Sequence, residues 1–237
     1  MKPETLRKIQ LYEVLLFAFG LAVITSLFIW LRGWHPGPAT TRRMIFRIVH
    51  ELASLALLAW VLRKQGKRFT DIRFFLPPTL ADIGHSILLF VGAVIGNGWV
   101  YLTLRFIVHF VTGHPVHRTW NISASLFGST ITVLPFLFCF INPFVEELIV
   151  RGFFIIEVES IYGSTRLAAF ASVIFQASYH LYQGLLSALS LSASFTLFTV
   201  YFIRKRRILP VVLAHLYMDL LAVSTYAFFL HRGVHLK

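Results

Sequence analysis

Three groups of ionisable side chains in the second half of the chain have the residue types and the spacing to do chemistry. They are Glu146, Glu147 and Arg151, then His180, and finally His215 with Asp219. Each group lies within or beside a run of apolar residues, where a charged side chain costs free energy unless it is paired, hydrated or used. Because carboxyl and imidazole groups are the commonest acids and bases in catalysis, we treat these six residues as candidates for catalytic roles.

The first group divides its two acids between two roles. On an α-helix the residues at i and i+4 share a face, so Glu147 can pair with Arg151 in the favourable order, with the acid nearer the N-terminus. Successive helical residues are about 100° apart, so Glu146 points away from Arg151. The spacing therefore predicts an ion pair between Glu147 and Arg151 and leaves Glu146 available for chemistry. If Pro143 begins this helix, Glu146 lies in its first turn, near the positive end of the helix dipole.

The two histidines differ in their surroundings. His180 lies near the end of a predicted helix, with Gln176 one turn earlier and Gly184 as the expected stop. His215 and Asp219 share a helical face at i and i+4, and an acid beside a histidine can fix its tautomer and orientation. We therefore expect the Asp219 carboxylate to accept a hydrogen bond from His215.

The composition indicates that membrane helices position these groups. Of the 237 residues, 57% are hydrophobic and only 14% are charged, whereas a soluble domain is about 45–50% apolar and about 25% charged. The mean hydropathy is +0.74. The formal net charge is +12, but the basic residues cluster between long apolar runs, which is typical of anchors near anionic lipid headgroups. We expect a multi-pass protein of the cell membrane with lipids as partners and no nucleic acid.

Apolar runs of about 20 residues predict an all-α transmembrane bundle of seven or eight membrane helices in a single domain over residues 1–237. The runs are 11–31, 44–62, 84–111, 122–142, 166–183, 184–203 and 208–230, with a charge-bearing helix at about 143–158. Basic loops at 63–69 and 204–207 favour a cytoplasmic N-terminus. This orientation requires residues 122–158 to cross the membrane once, with a break at Asn142-Pro143.

The order of the three groups resembles the CPBP family, the CAAX-protease and bacteriocin-processing (Abi) membrane proteins. In that family an EExxxR motif, a histidine on the next helix and an HxxxN/D motif follow one another. Here they stand as Glu146-Glu147-x3-Arg151, His180 and His215-x3-Asp219. The resemblance covers residues 120–230, which we expect to form the catalytic core, with residues 1–119 supplying N-terminal spans.

The resemblance implies a helical intramembrane endopeptidase that acts on a peptide or protein in the membrane. By analogy, Glu146 would be the general base and His180 would position the attacking water. His215 would stabilise the oxyanion, and Glu147 and Arg151 would hold the site's geometry. The chain departs from the family at Gln176, where the family usually has Phe, and at Asp219, where Asn is common.

Other interpretations remain open at the level of the sequence. Glu146, His180 and His215 are residue types that can hold a catalytic zinc, although the chain contains no HExxH motif. His180 and His215 could alternatively bind a haem in a non-enzymatic carrier, which would leave the glutamates unexplained. A transporter or scaffold with paired charges is a third alternative. We expect an enzyme that needs no cofactor, and the single Cys139 excludes an internal disulfide.

Overall fold

The computed structural model describes residues 3–33, 36–114, 122–130 and 132–232, and these ranges contain helices and no strand. The α-helices are α1 (Pro3–Leu15), α2 (Leu21–Arg32), α3 (Thr41–Lys64), α4 (Leu80–Thr112), α5 (Ile122–Phe127), α6 (Val133–Glu146), α7 (Phe154–Tyr162), α8 (Thr165–Ser178), α9 (Leu185–Lys205) and α10 (Leu209–His231). Two π-helical segments, Leu16–Gly20 and Glu147–Phe153, join α1 to α2 and α6 to α7. The predicted all-helical membrane fold is confirmed.

Six helices in the described residues are long and apolar enough to cross a membrane. They are Glu4–Arg32, Thr41–Lys64, Leu80–Thr112, Val133–Tyr162, Leu185–Lys205 and Leu209–His231. The number differs from the predicted seven or eight for two reasons. The runs predicted at 122–142 and 143–158 contribute to one continuous span, and α8 has only 14 residues. A helix of that length rises about 21 Å, short of the roughly 30 Å hydrocarbon core.

The expected break at Asn142-Pro143 is wrong, because Pro143 lies inside α6 and the helix continues past it. Proline removes one backbone donor and crowds the carbonyl four residues earlier. Four residues later the chain changes from α-helical to π-helical hydrogen bonding, over Glu147–Phe153. Short π-helical segments of this kind are often found at functional sites. Pro143 therefore does not place Glu146 in the first turn of a helix.

The hydrophobic core surrounds this π-helical segment, in which all seven residues are buried. Helix α9 packs between α4 and α8, while α10 packs on α4 and α6, and α3 lies along α6. Small residues let α4 and α9 approach closely, since Ser194 Oγ on α9 donates to the Ala93 carbonyl on α4 at 3.1 Å. The helix that carries the two glutamates is thereby enclosed by helices from both halves of the chain.

Several basic side chains form ion pairs at one end of the bundle, where basic connections between helices lie. The pairs are Arg7 and Lys67 with Glu157, Arg206 with Glu159, and Arg207 with Asp82. They join the N-terminal helix, the α3–α4 connection and the α9–α10 connection to α7 and to the start of α4. Hydrogen bonding to Glu159 raises the pKa of Arg206, and hydrogen bonding to Asp82 raises the pKa of Arg207. This end of the bundle therefore carries most of the basic connections.

Candidate active site

The structure brings the three groups of ionisable residues together. Glu146 ends α6, and Glu147 and Arg151 lie in the π-helical segment. His180 lies two residues after the end of α8, and the other two residues lie on α10. The link between the first and third groups is direct, since His215 Nδ1 lies 2.7 Å from Glu147 Oε1.

Glu147 is completely buried, and both of its carboxylate oxygens have partners. Oε2 accepts a hydrogen bond from Arg151 Nη1, which is the ion pair predicted from the i, i+4 spacing. Oε1 bonds to His215 Nδ1. One carboxylate thus orients both a guanidinium and an imidazole, and these interactions compensate for its burial.

Arg151 is also completely buried and connects three elements. Its Nη2 donates to Gln176 Oε1 on α8 and to the Phe195 carbonyl on α9, the latter at 3.4 Å. The guanidinium lies over the ring of Phe198, 5.5 Å from its centroid. A planar side chain held on several sides in this way has little freedom to reorient.

Glu146 is 7% exposed and is held by a different set of donors. Its Oε2 accepts hydrogen bonds from Gln176 Nε2 and from the Tyr179 hydroxyl, both at 3.0 Å. Its Oε1 accepts no hydrogen bond from any residue that the structure describes. Glu146 makes no direct pair with Arg151, as the helical spacing predicts, although Gln176 bridges the two.

One ring nitrogen of His180 bonds to the backbone, and this bond determines whether the other nitrogen donates or accepts a hydrogen bond. Nδ1 lies 2.9 Å from the Gln176 carbonyl oxygen. Because a carbonyl oxygen only accepts, Nδ1 carries the proton, and in the neutral ring Nε2 is an acceptor. The ring packs against Tyr179 and Phe195, with centroid distances of 4.7 and 5.0 Å. The tautomer set by the backbone bond therefore leaves Nε2 of His180 as a hydrogen-bond acceptor.

The predicted hydrogen bond from His215 to Asp219 is wrong. His215 Nε2 lies 3.6 Å from Asp219 Oδ1, beyond hydrogen-bonding distance, and Glu147 orients the ring through Nδ1 instead. Asp219 accepts a hydrogen bond from Asn142 Nδ2 at 3.2 Å. Asp219 still faces His215 and can stabilise a positive charge on it.

Sequence reasoning missed the contributions of Asn142, Gln176 and Tyr179. Asn142 precedes Pro143, so the sequence indicates only a helix break there. Gln176 departs from the family pattern, and this polar replacement of an aromatic residue is a signal for a hydrogen-bonding role. Tyr179 gives no signal in the sequence, because its bond to Glu146 joins residues that are 33 positions apart in the chain.

The residues considered for a zinc site do not fit one. Among the residues that the structure describes, no three His, Cys, Asp or Glu side chains are grouped so that they could hold a metal ion.

Comparison with known proteins supports the resemblance drawn from the motifs. Residues 128–221 match the family model described as type II CAAX prenyl endopeptidase Rce1-like. This stretch contains all six candidate residues, and the predicted resemblance is confirmed over it. Comparisons with curated proteins and with solved structures give no match.

Proposed function

We propose that this chain, whose residues 128–221 match the type II CAAX prenyl endopeptidase Rce1-like family model, is a protease. It hydrolyses a peptide bond of a membrane-associated or lipid-modified protein, with Glu146 as the general base. The observation that supports this role most strongly is the state of the Glu146 carboxylate. It is buried, two donors hold one of its oxygens, and the other oxygen accepts no hydrogen bond from the described residues. In a carboxylate held in this way, the second oxygen can accept a proton from water.

In the proposed first step, a water molecule lies between Glu146 Oε1 and Nε2 of His180. Glu146 removes a proton from the water as the water oxygen attacks the peptide carbonyl carbon. In the second step the C–N bond breaks, and Glu146 returns the proton to the leaving amine. The products are a carboxylic acid, which keeps the second proton of the water, and an amine. His180 positions the water by accepting a hydrogen bond from it.

His215 is proposed to stabilise the oxyanion that forms on the peptide carbonyl. The ring lies between two carboxylates, Glu147 at 2.7 Å and Asp219 at 3.6 Å. Two negative neighbours favour the imidazolium form, in which both ring nitrogens donate. Donation from Nε2 to the oxyanion would then contribute the electrostatic stabilisation that acyl transfer requires.

Glu147 and Arg151 are proposed to hold the geometry rather than to touch the substrate. Through Glu147 the arginine fixes His215, and through Gln176 it fixes Glu146. The general base and the oxyanion donor are therefore connected through one buried guanidinium. This connection keeps the two groups at a constant separation, on which attack and charge stabilisation both depend.

Asp219 has a different proposed role from the asparagine that many family members carry. An ionised carboxylate cannot donate a hydrogen bond to an oxyanion. We assign it the task of keeping His215 positively charged, while the Asn142 amide holds its other oxygen at 3.2 Å.

The test compares the membrane proteomes of a strain carrying the native protein and a strain carrying Glu146→Gln. An uncleaved precursor should accumulate in the Glu146→Gln strain, because an amide cannot accept the proton from water. The matched control is Glu13→Gln, which changes an exposed glutamate on α1 and should leave cleavage intact. If no protein accumulates or changes its terminus in the Glu146→Gln strain relative to this control, the proposal fails.

A further inference from the structure

We infer that Tyr179 is a positioning residue that decides which oxygen of Glu146 faces the water, and that the first membrane span holds Tyr179 in place through Phe19. The inference rests on the proposed role of Glu146 as a base. It extends the functional machinery beyond the family-matched stretch, since Phe19 lies outside residues 128–221.

The two oxygens of the Glu146 carboxylate have different surroundings. The Tyr179 hydroxyl and the Gln176 amide both donate to Oε2, each at 3.0 Å. The terminal torsion of a glutamate is broad and is not fixed by the rotamer. Two donors on the same oxygen fix this torsion and leave Oε1 as the oxygen that can accept from water.

Aromatic neighbours immobilise the ring of Tyr179. Tyr179 stacks on Phe19 with ring centroids 4.8 Å apart and planes inclined by 14°. Phe175 meets Tyr179 nearly edge-on, with centroids 5.8 Å apart at 75°, and meets Phe19 at 5.6 Å and 89°. Tyr179 and Phe19 are each 5% exposed. A ring enclosed in this way cannot swing its hydroxyl away from Glu146 without repacking its neighbours.

Phe19 belongs to the first membrane span, where it lies in the π-helical segment Leu16–Gly20. The same span makes a second contact with the connection after α8, where the Tyr182 backbone N–H donates to Ser26 Oγ at 2.7 Å. Two separate interactions therefore tie this span to the segment that carries Tyr179 and His180. The span contributes to catalytic geometry as well as to membrane anchoring.

The chemical consequence concerns the ionisation of the base. A hydrogen bond donated to a carboxylate favours its charged form. Removing the Tyr179 hydroxyl leaves one donor instead of two, so a higher pH is required to ionise Glu146. The loss of one hydrogen bond to a charged group corresponds to a shift of about one pH unit.

The experiment uses the full-length protein in lipid nanodiscs and compares Tyr179→Phe with the native chain. The first readout is the reaction of Glu146 with a hydrophobic carbodiimide, which modifies only protonated carboxyl groups and is located by mass spectrometry. The second is the pH dependence of cleavage. The matched control is Tyr226→Phe, because Tyr226 is also buried and its hydroxyl also donates one hydrogen bond, to the Gly128 carbonyl at 2.8 Å.

In Tyr179→Phe, the pH of half-maximal labelling and the acid limb of the cleavage profile should both move up by about one pH unit. Neither should move in Tyr226→Phe. Should Tyr179→Phe fail to fold, Phe19→Leu provides the second variant and should shift both curves in the same direction. Unchanged labelling in the folded variant would overturn the inference. A shifted labelling curve in a protein that cleaves nothing would support the inference and instead refute the proposed function.

Discussion

Arg151 shows how a single buried charge can connect several parts of a site. Its side chain is fully buried, yet it has a carboxylate, an amide oxygen and a backbone carbonyl as acceptors and an aromatic ring against its face. Burying an unpaired ion is strongly unfavourable, so the pair with Glu147 is required wherever the arginine is present. The arginine is therefore a structural requirement of the site, although it is assigned no contact with the substrate.

The first prediction concerns this pair. Arg151→Leu should destabilise the protein by about 3–5 kcal/mol, because it leaves the Glu147 carboxylate buried without its guanidinium. The double variant Glu147→Leu/Arg151→Leu should lose less, since it leaves no uncompensated charge. Denaturant unfolding in detergent measures both, with the exposed Arg42→Leu as control. A double variant as unstable as the sum of its two single variants would show that the residues are not coupled.

At the scale of elements, the close approach of a loop to the π-helical segment depends on Gly152. A Cβ added at this position would lie 3.1 Å from the Ile72 carbonyl oxygen and 3.5 Å from the Ile72 side chain. Ile72 is 1% exposed, so the loop between α3 and α4 has little room to move away. The glycine that follows Arg151 thus lets this loop cover the helix that carries the glutamates.

Gly152→Ala is accordingly expected to destabilise the protein by about 1–3 kcal/mol through overpacking. It should also reduce cleavage, because the neighbouring Arg151 would shift with the backbone. Gly98→Ala is the matched control, since it is also a helical glycine and an added Cβ there meets no atom within 4 Å. Equal unfolding midpoints for the two variants would contradict the role assigned to Gly152.

Several features of the structure could be predicted because they depend only on residues that are close together in the sequence. The Glu147–Arg151 pair follows from helical periodicity, and the membrane helices follow from apolar runs longer than a hydrocarbon core is thick. The continuity of the helix through Pro143 could not be predicted, because it depends on packing around the proline. The bonds from Tyr179 and Gln176 to Glu146 depend on the depth and rotation of α8 relative to α6, which sequence spacing does not fix.

For the molecule as a whole, the distribution of basic residues predicts the orientation in the membrane. The N-terminal helix and the connections before α4 and α10 meet at one end of the bundle through ion pairs. Arg42 and Arg43 begin α3 at the opposite end. Because basic connections favour the cytoplasmic side, we expect the end with more basic residues to face the cytoplasm.

This orientation can be measured with single cysteines in a Cys139→Ala background, which removes the one native thiol. A membrane-impermeant maleimide added to intact cells should label Arg42→Cys and should not label Arg68→Cys or Lys205→Cys. All three positions are exposed, so accessibility within the protein does not limit the reaction. After the cells are permeabilised, all three should react. Labelling of Arg68→Cys in intact cells would reverse the orientation.

The most direct test of the account is the cleavage rate of the purified protein in nanodiscs with a farnesylated CAAX peptide as probe. Glu146→Gln should lower the rate by about 10²–10⁴-fold, the usual contribution of a general base, and should keep the native unfolding midpoint. The exposed control Glu13→Gln should cleave at the native rate. Cleavage by Glu146→Gln at the native rate would contradict the central claim that Glu146 activates the water.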